Sequence, residues 1–381
     1  MSVVSKVKSK VQQALPKTVS FSGSLGQAWF CGALERAPSM AGFFCGHDAG
    51  QSSTERLLRS KIAKRCLDKG ANGTAAIYCP GPNVPRLSEL DGAAVDVPLR
   101  IELKKPLPAT EDDLMAGIKT STTREDLRRI RKAGFTYRIT TDPEDIRTFH
   151  SRFYVPLINQ QFPEDGSILS LEKMLKTGEQ REIVCAYLDG EWVAGIMNQT
   201  QDGNYAMAQL GIRDADEAVR KSRVVSALLV RSMQRAVELN LETTTLGFSL
   251  PFLGKGPIWF KAKWGSALTF EPRRPTMQVL LDLRHAAIRN ALATCPILHS
   301  EEGALVATGW LEPGEAPLKA LAREAERYTG IAQWYILGET ETLAAASEVL
   351  AANDRVIPLA ITPTGPEPIW LGTYLKSHRS G

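Results

Sequence analysis

Two groups of residues have types and spacing that could do chemistry. The first is a basic run: between residues 119 and 138, seven basic residues stand against two acidic ones. Within it Arg124, Arg128 and Arg131 follow i, i+4, i+7 and share one helix face. Guanidinium forks bind phosphate bidentately, so this face could hold a phosphate or diphosphate of a substrate, or contact tRNA. It also reads as a solvated basic face. The second group surrounds Lys261, an ammonium between Phe260 and Trp264. The bland alternative is a surface lysine on a short helix. Lys263 falls on another face and reads as solvated.

Other candidates carry less. Tyr205 and Gln209 read as sharing one face of a strand, since alternate residues point the same way. His150 is a lone helical histidine that reads as packed or exposed, and Glu182, Glu191 and Asp214 read as turn acids. Ser249 follows Leu246-Gly247-Phe248 without the small elbow glycine of a nucleophile turn, which argues against a serine hydrolase.

The elements that must position these residues follow from periodicity and punctuation. Thr54–Lys69 reads as a helix stopped by Gly70, and Ala75–Tyr78 as a strand. The prolines between Cys79 and Pro98 mark a loop. Leu99–Leu103 alternates as a strand, and Thr110 caps a helix with acids in its first turn. Gly134 ends the arginine-rich helix, Phe135–Thr140 alternates as a strand, and Asp142-Pro143 opens a helix whose inner face carries Ile146, Phe149, Phe153 and Tyr154. Ile183–Leu188, Trp192–Gln199 and Tyr205–Ile212 read as three strands joined by Asp189-Gly190 and Asp202-Gly203 hairpins. A helix over Val219–Leu239, a strand over Thr243–Gly247, a short helix over Ile258–Trp264 and a strand over Thr276–Leu283 complete this part. Beyond residue 300 the pattern gives strands at Ala304–Thr308 and Val356–Ile361 and helices at Leu318–Tyr328 and Glu341–Ala352, with no chemical motif.

Composition limits the class. The chain has 381 residues, enough for two or three domains. Apolar residues make 43% and charged residues 23%, the balance of a globular protein. Lys plus Arg minus Asp plus Glu is 46 − 42 = +4, too weak to argue for nucleic acid alone. No stretch approaches the ~20 apolar residues of a membrane span. Six cysteines, none in a CxxC pair or with zinc spacing, read as buried thiols in a reducing compartment, with no metal. The basic N-terminus has no apolar core of a signal peptide, so a cytoplasmic location is expected. Its Val4, Val7, Val11 and Leu15 form a thin apolar face that reads as a frayed terminus, or as weak contact with a membrane surface.

At 183–265 the pattern is familiar. The Ala186–Gly195 hairpin, the second hairpin, the helix, Leu246-Gly247-Phe248-Ser249 and Pro257-Ile258-Trp259-Phe260-Lys261-Ala262-Lys263-Trp264-Gly265 resemble the acyltransferase fold of the GNAT superfamily. Phe260-Lys261-x-x-Trp264-Gly265 and the preceding arginine-rich helix resemble its Fem-type branch, the peptidoglycan-bridge aminoacyl transferases and FemAB-like acetyltransferases. The resemblance implies an α/β (α+β) fold: a mixed sheet flanked by helices, in tandem GNAT-like domains. The expected organisation is a flexible basic terminus at 1–19, a reduced first domain at 20–140, the acyltransferase domain at 141–285, and a small α/β appendage at 286–381.

The resemblance also implies transfer of an acetyl or aminoacyl group to an amine of a small-molecule, sugar or peptide acceptor. Lys261 would then stabilise the oxyanion; Tyr205, by its own strand position, reads either as general acid for a leaving thiolate or as a core or rim aromatic. Arg124, Arg128, Arg131, Phe260 and Trp264 would bind substrate. The donor would be acetyl-CoA or another acyl-CoA. The glycine-rich pyrophosphate loop usual in such domains is replaced by Arg213–Arg223, which has no glycine. Arg220, Lys221 and Arg223 would have to meet donor phosphate by side chain. Fem-type members without that loop commonly use aminoacyl-tRNA. A non-catalytic binding module on a decayed GNAT fold is the reading from another class.

Overall fold

The computed structural model describes residues 17–378 except 33–36, 46–47, 58, 81–85, 119, 162–167, 177–179, 255, 273 and 275. The N-terminal apolar face and much of the proline loop lie outside the described residues. The strands are β1 (Lys17–Ser22), β2 (Gln27–Gly32), β3 (Gly50–Arg56), β4 (Thr74–Cys79), β5 (Val95–Pro98) and β6 (Ile101–Pro106). They continue as β7 (Thr136–Thr140), β8 (Arg181–Leu188), β9 (Glu191–Gln201), β10 (Asn204–Ile212), β11 (Thr243–Ser249) and β12 (Ala267–Thr269). The last are β13 (Thr276–Leu280), β14 (Ile297–Glu301), β15 (Ala304–Trp310), β16 (Gln333–Gly338) and β17 (Val356–Ala360).

The chain divides into two compact units, each built on a mixed sheet flanked by helices, as expected of the fold class. The first takes residues up to Ile101, Leu250–Lys255 and Phe270 onward; the second takes Glu102–Ser249 and Gly256–Thr269. The expected boundaries at 140 and 285 therefore do not coincide with the units. The reason is pairing across long sequence separations. In the first unit the ten-stranded order is β17-β16-β15-β14-β5-β13-β4-β2-β1-β3, with β13 between β5 and β4. The segment expected as a separate C-terminal appendage supplies β14–β17 to this same sheet, β14 joining β5 at Ser300 and Asp96.

The second unit has the order β12-β6-β11-β10-β9-β8-β7. Its two hairpins turn where expected. Asp189 and Gly190 have φ of 51° and 81°, and Asp202 and Gly203 have 47° and 70°, the left-handed pair that matches strand twist. Thr110 and Thr120 cap the Glu111–Ala116 and Ser121–Ala133 helices, and Gly134 (φ 72°) ends the latter. The helix opened by Pro143 passes through a π-helical turn at Phe149–Tyr154 and continues to Gln161. Its aromatic face lies on the sheet. A Cβ at Gly211 would sit 2.7 Å from Phe153 Cβ, so glycine there is what lets the helix approach.

Several boundaries differ from expectation. Residues 54–56 are strand, and the following helix, Arg59–Ala71, runs through Gly70 because that glycine lies against Trp370. Leu99 and Arg100 fall between β5 and β6 rather than inside one strand. The expected Val219–Leu239 helix breaks into Glu217–Lys221 and Val224–Glu238 at Arg223, which has φ 74°. Glu341–Ala352 is two short helices, Thr340–Ala345 and Ser347–Ala351. All six cysteines are free, and burial pushes the thiols up, Cys31 and Cys185 to about 12.

Candidate functional site

The parallel neighbours β10 and β11 are in register over Asn204–Ala206 and Thr243–Thr245. At the end of that register β10 carries a bulge between Met207 and Gln209. The extra residue reverses the alternation. Tyr205 opposes Thr200 whereas Gln209 opposes Met197, so the two lie on opposite faces, not the shared face expected. Gln209 Oε1 is buried with no hydrogen-bond partner among the described residues.

Across from the bulge, β11 turns at Gly247 (φ 76°). A Cβ there would lie 3.1 Å from the Met207 carbonyl and 3.7 Å from Lys261 Nζ. The Lys261 ammonium is thus seated where the two strands part. It comes from the Pro257–Ala262 helix and donates to the Phe248 carbonyl at 2.7 Å and to Ser249 Oγ at 3.2 Å. Phe248 itself is exposed at 43%. Loss of solvent around Nζ lowers the Lys261 pKa to about 8. Neither bond supplies a counter-charge.

Lys263 corrects the expectation of a solvated side chain. It is buried, its ammonium donating to Asp126 Oδ2, and both side chains are nearly sealed at 5% and 4% exposure. Three aromatic rings surround it, with Phe260 at 4.5 Å, Trp264 at 5.3 Å and Trp259 at 5.5 Å from Nζ. Phe260 and Trp264, expected to touch substrate, both pack on Lys263, Phe260 half-buried and Trp264 buried. Sequence reasoning missed Asp126. Its signal was an acid at position 126 beside Thr123 and Leu127, on the buried side of an otherwise basic helix.

The structure brings the three arginines together. Arg124, Arg128 and Arg131 line one concavity of about 560 Å³ in the second unit. Tyr205 is elsewhere engaged. It is fully buried, and its hydroxyl donates to Glu182 at 2.5 Å, while Arg235 holds the same carboxylate at 2.9 and 3.2 Å. Burial and then the Glu182 bond push the phenol far up, and its hydroxyl is committed to that carboxylate. His150 bonds the Leu169 carbonyl at 3.0 Å.

The candidate phosphate binders are all partnered. Arg220 pairs with Glu217 at 2.6 Å, Lys221 with Glu217 at 3.7 Å, and Arg223 with Asp126 at 3.6 Å. The loop does without glycine: Asp214, Ala215 and Arg223 take left-handed φ of 51°, 54° and 74°. Arg223 then opens the Val224–Glu238 helix, which has no side-chain cap and no acid in its first turn. Its leading N–H groups are the backbone feature in this loop suited to a phosphate. Among the described residues there is no group of three or more His, Cys, Asp or Glu able to hold a metal. Among them, too, no helix is long and apolar enough to cross a membrane.

Residues 119–249, within the second unit, match the family model of the acetyltransferase (GNAT) domain. A comparison with curated proteins gives no match. Among solved structures the chain is similar to FemX, at 12% identity and TM-score 0.38, over 59% of this chain and 78% of that one. It is similar to L-PGS from Bacillus licheniformis at 13% identity and TM-score 0.32, over 72% and 83%. A tandem GNAT protein from the clavulanic acid biosynthesis pathway aligns at 11% identity and TM-score 0.28, over 61% and 74%. These distant likenesses assign nothing by themselves.

Proposed function

We propose that the chain is an N-acyltransferase, moving an acyl group from acyl-CoA to an amine, with Lys261 as its oxyanion stabiliser. The observation that carries this reading is the half-buried Lys261 ammonium at the parting of β10 and β11, with no carboxylate partner among the described residues. An acyl group lying at the bulge would present its carbonyl oxygen to that ammonium. Attack by the neutral amine nitrogen forms the new C–N bond and puts negative charge on the oxygen. The ammonium meets it without solvent reorganisation. Collapse breaks the C–S bond, and the departing thiolate takes up the proton that the nitrogen sheds, giving amide and free thiol. The donor diphosphate would bind at the N-terminus of the Val224–Glu238 helix, with Arg223 turning to it from Asp126.

A second reading rests on the loop chemistry. Asp214, Asp216 and Glu217 put three carboxylates in the loop that precedes that helix, and Asp216 caps the separate Glu217–Lys221 helix through the Ala218 and Val219 N–H groups. Those charges disfavour a diphosphate and favour aminoacyl-tRNA as the Fem-type donor. Thermal shift with coenzyme A separates the two readings. Saturation at 100 times the dissociation constant adds about 2.7 kcal/mol for a true ligand. Stabilisation by coenzyme A and thiol release from acetyl-CoA with an amine panel support the first reading. No stabilisation and no thiol release sink it.

A further inference from the structure

Besides Lys261, the second unit has a concavity of about 560 Å³ between the Glu111–Ala116 and Ser121–Ala133 helices. That is within the range of small-molecule sites, about 300–1,000 Å³. Its walls are of two kinds. Arg124, Arg128 and Arg131 supply guanidinium groups from one helix face; Met115, Ile118 and Leu127 supply apolar surface.

The helix macrodipole does not account for all three cations. A basic side chain near a helix C-terminus is favoured by the macrodipole, which suits Arg131. Arg124 sits one turn from the N-cap Thr120, where the same dipole disfavours it. Among the described residues neither Arg124 nor Arg131 has an ion-pair partner. Arg128 bonds Glu125 at 2.8 and 2.9 Å, but that pair is open to solvent and of little strength. Glu125 also bonds Arg129 at 2.7 Å, so it keeps a partner if Arg128 turns away.

We propose that this concavity binds a phosphate ester whose ester group is apolar. The phosphate takes the arginine forks, and the apolar group lies on Met115, Ile118 and Leu127. Its role as anchor of the acceptor rests on the acyl-transfer reading; its role as a binding site does not. The buried pair of Asp126, on the same helix, with Lys263, two residues past Lys261, fixes the arginine helix to the segment that carries the ammonium.

The test is calorimetric titration of the full chain with inorganic phosphate and with hexyl phosphate. Burial of two methylenes is worth about tenfold, so hexyl phosphate is expected to bind at least about tenfold tighter. The double variant R124A/R131A, altered at two exposed positions, should lose both ligands while keeping its melting temperature. Met115→Ser should shrink the hexyl preference and leave phosphate binding alone. Lys261→Met should bind hexyl phosphate like the parent, so failure of the acyl-transfer reading leaves this site intact. Sedimentation with phosphatidylglycerol–phosphatidylcholine vesicles, against phosphatidylcholine alone, then assigns the source. Arginine-dependent sedimentation means a lipid headgroup; hexyl phosphate binding without it means a soluble ester. Absence of a hexyl preference, or binding that survives R124A/R131A, overturns the proposal.

Discussion

Lys263 and Asp126 form an ion pair that joins the arginine-bearing helix to the turn after the Pro257–Ala262 helix, inside a ring of three aromatic side chains. Arg223, at the head of the Val224–Glu238 helix, reaches the other oxygen of the same carboxylate at 3.6 Å. One buried acid therefore ties three elements around the Lys261 segment. Two buried charges stabilise one another only while both are present.

Removing one partner should accordingly cost far more than removing both. Asp126→Asn should destabilise by about 3–5 kcal/mol, because it strands a buried ammonium. Asp126→Leu combined with Lys263→Met should recover most of that loss. Urea unfolding with an unchanged slope measures both. If the double variant is no more stable than Asp126→Asn, the pair is not the clamp described.

Tyr205 gives a second, opposite expectation. Its hydroxyl is committed to Glu182, and Arg235 keeps that carboxylate paired when the hydroxyl is gone. Tyr205→Phe should lose about 1.5–3 kcal/mol, as for a hydrogen bond to a charged group. Turnover per folded molecule should stay within twofold or so, since no reacting atom is touched. A fall of a hundredfold in kcat at unchanged KM would restore the tyrosine to the chemistry.

What could be read from the sequence was local. The Asp-Gly turns, the Thr110 cap and Gly134 are set by backbone chemistry within a few residues, and each is where expected. Non-local pairing was not legible: β13 runs between β4 and β5 although about 200 and about 180 residues separate it from them, and no local signal encodes such a partner. Neither was the bulge at Met207–Gln209, nor the break at Arg223, because neither uses a glycine or a proline. At the site, Lys261 was singled out by its apolar neighbours together with the Phe260-Lys261-x-x-Trp264-Gly265 resemblance. Lys263 was not, since its burial depends on Asp126, an acid in another helix, and spacing within its own short helix pointed it outward.

Lys261 offers the most direct measurement. Its pKa is lowered by desolvation from 10.5 to about 8, so the ammonium is present below that pH and lost above it. Turnover should therefore fall as pH rises through about 8, once the acceptor amine is already neutral. Lys261→Met should cut kcat by about 100–1,000-fold and abolish that alkaline limb, because an oxyanion donor acts mainly in the transition state. Lys261→Arg, charged to much higher pH, should move the limb up wherever activity survives. Stability carries the same signature with its own sign. Between pH 8 and 10.5 the unfolded chain holds this proton and the folded chain does not, so unfolding free energy should rise with pH across that window. Lys261→Met should flatten that rise. An alkaline limb that persists unchanged in Lys261→Met would assign the titration to another group and take Lys261 out of the mechanism.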